Sequence, residues 1–406
     1  MRILWVKAGK LLPVDTGGKI RSYNILRHLS RKHQVKLLSY YGGDRDLSYE
    51  NSMGETLPGS HAIYTGAPEG TIRQSVDYVC NLASGVPYAV KKFTAPAVRQ
   101  TVALGLAEKQ FDVAVCDFLS ASLNFPERSE TPCILFQHNV EHVLWKRMAE
   151  TESNPVRKLS YSIEASKMIR YEKATLRKFD HVIAVSQQDR EEMLKLDSAC
   201  RITVVPTGVD TEQYRPVSTA CGDPPVIVFT GSMDWEANID AMEHFCQQIW
   251  PTMLSTFPNA RLQIVGRNPH ARVLRLQSAS VEVTGKVASV RDYLAPATVV
   301  IVPLRIGGGT RLKIFEAMAM GKAVVSTSIG AEGLDVTDGR DILIADSPEV
   351  FASRLVELLR NEGLRRAYEN AAASLAARYD WSEISESFAN VLQLSVQNSA
   401  ANGRTN

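Results

Sequence analysis

Residues 305–325, RIGGGTRLKIFEAMAMGKAVV, hold the residue types best able to do chemistry in this 406-residue chain. Three glycines, Gly307 to Gly309, run into Thr310, Arg311 and Lys313. A lone acid, Glu316, follows about one turn into a stretch whose apolar positions Leu312, Phe315, Met318 and Ala319 fit a 3.6-residue period. The run TVVIVPL (298–304) before them has the pattern of a buried strand. At the carboxyl end of such a strand, the backbone N–H groups of Gly309, Thr310 and Arg311 can converge beside the positive end of a helix dipole, an arrangement that binds phosphate oxygens. Arg311 and Lys313 add full positive charge, and an arginine can pair two phosphate oxygens at once. Glu316 is placed to accept two hydrogen bonds from a diol such as a ribose. The same residues fit a plainer arrangement, a tight strand-to-helix turn in which glycine relieves backbone strain and Glu316 is a solvated helix carboxylate. The residues alone leave both open.

Several other chemistries lose support. The chain has no G-x-x-x-x-G-K-[ST] and no G-x-G-x-x-G after its first strand, which argues against kinase-like and nicotinamide-dependent readings. With 46 basic against 44 acidic residues it lacks the charge of a protein that neutralises many nucleic-acid phosphates. The nearest two of its six cysteines, Cys116 and Cys133, are 17 residues apart and no C-x-x-C occurs, so the cysteines read as reduced core thiols of a cytoplasmic chain. The D-x-D triplet Asp44-Arg45-Asp46 reads as a solvated loop, and neither metal nor cofactor is expected.

The elements that must position these residues alternate along the chain. RILWVKA (2–8), QVKLLSYY (34–41), DVAVCD (112–117), CILFQHN (133–139), HVIAVS (181–186) and RITVVPTG (201–208) read as strands buried on both faces of a parallel sheet. Helical patterns at 17–32 and 154–179 lie between them. The stretch 209–225 lacks periodicity and is rich in proline, which predicts a linker. A second series follows: VIVFTG (226–231), a helix through 238–250, RLQIVG (261–266), VEVTG (281–285), TVVIVPL, AVVSTS (323–328) and DILIA (341–345). Two α/β domains are predicted, with ligands outside the carboxyl ends of the strands. Lys7 and Lys10 interrupt the opening MRILWVKAGKLLPVD, which therefore reads as a first strand and not as a signal peptide. No apolar run approaches the ~20 residues of a membrane helix.

The order VVPTGVD (204–210), VFTGSMD (228–234), VTGKV (283–287) and GGGTRLKIFEAMAMGKAVVSTSIGAEGL (307–334) resembles the family 4 glycosyltransferases over nearly the whole chain, most closely an exopolysaccharide-associated branch. The resemblance implies a GT-B fold, two Rossmann-like domains facing each other across a cleft. Residues 1–213 would bind the acceptor, 224–378 the nucleotide-diphosphate sugar, and a helix in 379–406 would return to the first domain. It implies transfer with retention, Glu316 on the ribose, and Gly285 and Lys286 near the base or diphosphate. The chain departs from the family pattern twice. The first glutamate of the family's E-x7-E motif falls at Gly308, and Ser232 stands where an arginine on the diphosphate is usual, with no lysine following. Arg311 and Lys313 are the expected substitutes, with Arg305 a competitor.

In the first half, Gly17 and Gly18 match the family's first glycine-rich loop; without the resemblance they read as a helix start capped by Asp15 or Thr16. His138 matches the active-site histidine beside the transferred sugar, although a histidine ending a strand is otherwise often structural. Asn139, Glu141 and His142 are acceptor-side candidates. The predicted function is a hexosyltransferase acting on a polysaccharide or lipid-linked acceptor. A nucleotide-sugar epimerase or hydrolase on the same scaffold, or a non-catalytic partner of an assembly system, are the alternatives. The basic residues of 154–179 (Arg157, Lys158, Lys167, Arg170, Lys173, Arg177, Lys178) fit either peripheral contact with the inner membrane surface or a core-facing helix with a basic outer side. Val156, Leu159, Ile163, Ile169, Leu176 and Phe179 form its apolar stripe, which would lie on lipid in the first case and against the core in the second.

Overall fold

Near-continuous runs of Val, Ile and Leu form strands that need cover on both faces, and both halves of the chain meet that need with helices around a wholly parallel sheet. The computed structural model describes residues 1–66, 71–152, 154–216, 223–306 and 312–402. Gly308, Gly309, Thr310 and Arg311, all singled out above, lie outside the described residues.

The first sheet contains β1 (Arg2–Ala8), β2 (Gln34–Tyr41), β3 (His61–Tyr64), β4 (Val113–Asp117), β5 (Cys133–Phe136), β6 (His181–Ala184) and β7 (Ile202–Val204), in the order β3-β2-β1-β4-β5-β6-β7. The winding reverses between β1 and β4, where Lys7 pairs in register with Asp117. Ligands of such sheets bind outside the carboxyl ends of the strands at this reversal. Strand β3 has no counterpart among the predicted strands, because a four-residue edge strand that is only partly buried carries no apolar run to read. Helix Pro155–Lys178 begins at Asn154, whose side chain accepts from the amides of Val156 and Arg157. The triplet at 44–46 lies in a loop with Asp44 and Arg45 exposed, as expected, while Asp46 also caps helix Leu47–Thr56 by accepting from Tyr49 N and pairs with Lys10 at 2.7 Å.

The second sheet contains β8 (Val226–Thr230), β9 (Arg261–Val265), β10 (Val281–Gly285), β11 (Val299–Val302), β12 (Val324–Ser326) and β13 (Leu343–Ile344), in the order β10-β9-β8-β11-β12-β13. Its reversal lies between β8 and β11, so Ser232 and the glycine run both follow strands at that point. The single helix predicted over 238–250 is interrupted. Helix Glu236–His244 passes through a π turn at Phe245–Ile249 before helix Trp250–Thr256, since Pro251 has no N–H to continue the regular ladder.

The chain divides into one unit of Met1–Pro206 with Ile384–Asn406 and another of Thr207–Glu383. The division falls ahead of the aperiodic 209–225 stretch and not inside it. Val209 bridges to Asp380, and Thr211 donates to the Asp380 carboxylate at 2.5 Å, which ties that stretch into the second unit. In the first unit, Phe388 of the closing helix packs 5.3 Å from Trp5 and 5.0 Å from Phe136 between ring centroids. The expectation of uniformly buried thiols holds for Cys116 and Cys133, but Cys80 is exposed.

Candidate functional site

At the carboxyl ends of β1 and β4, the first unit assembles a closed polar cluster around Asp117. This carboxylate is fully buried and accepts four hydrogen bonds: His138 Nε2 at 2.7 Å on Oδ1, and Lys7 Nζ at 3.0 Å, Trp5 Nε1 at 3.0 Å and Ser22 Oγ at 2.7 Å on Oδ2. Burial alone would raise its pKa, but the charge of Lys7 and the contact with His138 outweigh that and hold it below the usual carboxylate range.

His138 is buried, and both of its ring nitrogens have partners within the protein. Its ring is 3% exposed, lies flat on Phe118 with centroids 3.7 Å apart, and has Phe136 on another side at 4.2 Å. Nε2 is committed to Asp117, and Nδ1 faces Arg21 Nη1 at 3.0 Å. Burial pushes the imidazole down to about 3, against the pull of Asp117, so near neutral pH Nε2–H donates to Asp117 and Nδ1 accepts from Arg21. Arg21, lowered by burial to about 10, keeps its charge. Neither ring nitrogen is left for a sugar. In this geometry His138 holds the groups packed around it in place.

What it positions is the glycine pair on helix Gly17–Leu29. A Cβ on Gly18 would lie 2.6 Å from Cζ of Phe118, the ring that stacks on His138. Phe118 itself has φ of 72°, a conformation uncommon outside glycine. Gly18 is therefore needed for close packing. Thr16, at the N-cap, makes no side-chain capping bond, in contrast to the plain capped start that the residues alone favour.

A second buried carboxylate fixes the loop after β5. Glu172, on helix Pro155–Lys178, accepts from Gln137 Nε2 (2.7 Å), the backbone amides of Glu141 (3.0 Å) and His142 (3.1 Å), and His142 Nδ1 (2.6 Å). His142 thus turns inward. Asn139 and Glu141 remain partly exposed, and burial together with the charge of Glu172 raises the Glu141 carboxyl to about 7.

In the second unit, a half-buried cluster forms at the carboxyl ends of β8 and β9. Ser232 Oγ donates to Asp234 at 2.6 Å and faces Arg267 Nε at 3.2 Å, while its carbonyl accepts from Asn238 Nδ2 at 2.8 Å. Lys313 Nζ reaches Asn238 Oδ1 at 3.0 Å and lies 4.2 Å from the Phe229 ring centre. The backbones here are in close approach: a Cβ on Gly266 would fall 1.6 Å from the carbonyl oxygen of Gly231. Glu316, on helix Leu312–Ala319, accepts from the Tyr214 hydroxyl, and burial raises its pKa against that bond and the nearby charge of Lys313. Arg305 is held by both carboxylate oxygens of Asp240, at 3.0 and 2.5 Å, which weakens its claim as a phosphate ligand. Gly285 ends β10 with φ of 69° beside an exposed Lys286.

The structure therefore gathers Ser232, Lys313 and Glu316 at one end of the second sheet, and Gly18 and His138 at one end of the first. Sequence reasoning missed Lys7, Arg21, Asp117 and Glu172 in the first cluster, and Tyr214, Asn238 and Arg267 in the second. The available signal was a single charge ending an apolar strand, as at Lys7 and Asp117. Among the described residues, no group of three or more His, Cys, Asp or Glu side chains is placed to hold a metal ion.

Comparison with known proteins matches two parts of the chain separately, on either side of residues 214–223. Residues 16–213 match Glycosyltransferase Family 4, and residues 224–361 match Glycosyl transferases group 1. The chain is 22% identical over 402 residues to an uncharacterized 44.6 kDa protein in the cps region of Klebsiella pneumoniae, covering 93% of this chain and 96% of that protein. It is 24% identical to the phosphatidyl-myo-inositol mannosyltransferase of Mycolicibacterium smegmatis over 344 residues, 80% of this chain and 83% of that one. Among solved structures, sucrose-phosphate synthase of Thermosynechococcus elongatus superposes with a TM-score of 0.68 at 16% identity, covering 99% of this chain and 100% of that one. HepE of Anabaena in complex with UDP-glucose gives 0.65 at 15% identity, covering 97% and 99%.

Proposed function

The chain belongs to the family 4 glycosyltransferases, with both halves matched, and from that premise we propose that it moves a hexose, with retention at the anomeric carbon, from a nucleotide-diphosphate sugar to its saccharide or lipid-linked acceptor. The observation that carries the donor reading is the cluster at the end of the second sheet, where Lys313 and Arg267 stand beside Ser232 and Asn238 with Glu316 about one turn along the helix. HepE, of the same fold, was crystallised with UDP-glucose, which supports a nucleotide sugar as the co-substrate here.

The chemistry sets the requirements. Breaking the sugar–phosphate bond builds positive charge on the ring and negative charge on the diphosphate, so donors fixed before reaction lower the barrier. Lys313 and Arg267 serve as the cations on the leaving diphosphate, in place of the missing arginine and lysine after β8, and the reaction needs no metal ion. Glu316 exchanges the Tyr214 hydroxyl for the ribose diol. In the first unit, the Phe118–His138 stack fixes Gly18 at the start of its helix. Asn139 and Glu141 face the acceptor. A lipid-linked acceptor places the enzyme in the cytoplasm at the inner surface of the membrane.

The test is a turnover assay with a panel of UDP-, GDP-, ADP- and dTDP-sugars, with and without lipid-linked saccharide and in the presence of a chelator. Nucleotide release that requires acceptor, survives the chelator and yields a product with the donor's anomeric configuration is expected. Equal turnover with water alone favours the hydrolase reading, and an inverted product removes retention.

A further inference from the structure

Helix Pro155–Lys178 does not bury the whole of the stripe its sequence offers. Leu176 and Phe179, at its carboxyl end, are 1% and 6% exposed, whereas Val156 and Leu159 near its start are 76% and 63% exposed. Its only acids, Glu164 and Glu172, are both buried and engaged: Glu164 accepts from Tyr88 N at 2.8 Å and Lys167 at 3.3 Å, and Glu172 holds the loop after β5. The outward side of the helix is left with cations and no acid of its own, Arg157, Lys158, Arg170 and Lys173 all being exposed. The helix faces the core through Met168, Leu176 and Phe179, as one of the two expectations had it, but its first turns present Val156 and Leu159 to water.

Two neighbours extend the surface. Helix Thr71–Asn81 is tied alongside by the Tyr78 hydroxyl, 2.5 Å from Ser160 Oγ, and exposes Val76 (54%) and Val79 (62%). Helix Glu141–Thr151 packs through Trp145 on Tyr161, with centroids 5.9 Å apart, and ends in exposed Lys146, Arg147 and Met148. Glu150, 3.9 Å from Lys146, and the partly exposed Glu152 offset only part of the charge at this end.

We propose that this face, centred on Val156, Arg157, Lys158 and Leu159, docks the enzyme on an anionic lipid bilayer. Large apolar side chains flanked by lysine and arginine, with the helix's acids turned inward, suit a surface in which the aliphatic groups enter the acyl boundary and the cations meet anionic headgroups. No helix among the described residues is long and apolar enough to cross a membrane, so the attachment is peripheral. The proposal rests on the reading that the enzyme works at a membrane and sharpens it to one face and one lipid charge; it does not depend on the donor site.

Flotation of the full chain with phosphatidylcholine vesicles, with and without phosphatidylglycerol, at ~0.1 M and ~0.5 M salt tests it. Wild type is expected to float with the anionic vesicles and to be released by salt. The pair V156S/L159S and the pair R157E/K158E should each weaken partitioning at least roughly tenfold. All four positions are exposed, so the thermal shift on adding nucleoside diphosphate should stay unchanged in both pairs. Wild type that stays with the pellet, or variants that float as it does, would overturn the proposal. A dimer in solution that V156S/L159S dissolves would also overturn it, by giving the face to a second copy of the chain. Normal flotation by a protein that shows no nucleotide response would support the surface while removing the donor reading.

Discussion

At the carboxyl ends of β1 and β4, Asp117 meets four donors inside a sealed cluster; at the carboxyl ends of β8 and β9, Lys313 and Arg267 reach the neutral oxygens of Asn238 and Ser232 in a half-buried one. The topology is alike, each cluster lying at the point where the winding of its sheet reverses. The chemistry is opposite. A fully buried charge is costly to desolvate and persists only when paired and hydrogen-bonded, and the first cluster meets that condition internally. Its product is geometry: a fixed Phe118 ring, a fixed Gly18 and a neutral His138. The second cluster brings two cations to a partly open edge beside Ser232, Asn238 and the Asp234 carboxylate, and an arriving anion adds further charge-assisted hydrogen bonds to that network. The proposed function thus divides stability and binding between the two sheets, and substitutions should separate them.

The largest expected effect is on folding. Asp117→Ala leaves Lys7 buried with its carboxylate partner removed and should destabilise the protein by about 3–5 kcal/mol, read by chemical denaturation. A loss below about 1 kcal/mol would remove the contrast between the clusters. Next comes catalysis at His138. His138→Ala should lower the transfer rate by about a hundredfold through misplacement of Gly18 at the start of its helix. The limb of the pH–rate profile near neutrality should not move, because the ring is already neutral there. If Glu141 works on the acceptor side as proposed, its carboxyl, raised to about 7, sets that limb, and the limb should vanish in Glu141→Gln.

The smallest effect concerns stability against pH. The folded His138 ring resists the proton down to about 3, so its contribution is present above its ordinary value of 6.5 and is lost as pH falls below it. The folded Glu141 carboxyl resists ionisation up to about 7, so its contribution is present below 4.5 and is lost as pH rises towards 7. The two slopes oppose each other in wild type. Glu141→Gln removes one of them, and its unfolding midpoint should gain on wild type more at pH 8 than at pH 5. An equal difference at both would deny Glu141 its buried setting.

Much of the fold could be read before any coordinates, because strands covered on both faces have no polar side and stand out as runs such as LWV and VVIV. Strand β3 could not, being short and half-buried. Periodicity also identified the apolar side of helix Pro155–Lys178 but not its extent of cover, since whether Val156 meets a neighbour or water depends on chain far away in sequence. The site divides in the same way. Lys313, Glu316 and Gly18 lie in local motifs that a resemblance can reach. Asp117, Glu172 and Arg267 act through partners 35, 110 or more positions distant, as in Gln137–Glu172, Arg267–Ser232 and Lys7–Asp117, and only the folded sheet brings these together.

The central claim, that cations at the end of the second sheet hold the diphosphate of the donor, is tested most directly by calorimetric titration of UDP and GDP, with UMP and GMP as controls, into wild type and the R267A/K313A double variant. Wild type should bind a diphosphate more tightly than its monophosphate, and the double variant should lose roughly tenfold for each charge removed with little change in its unfolding midpoint. Undiminished binding by a folded double variant would contradict the account.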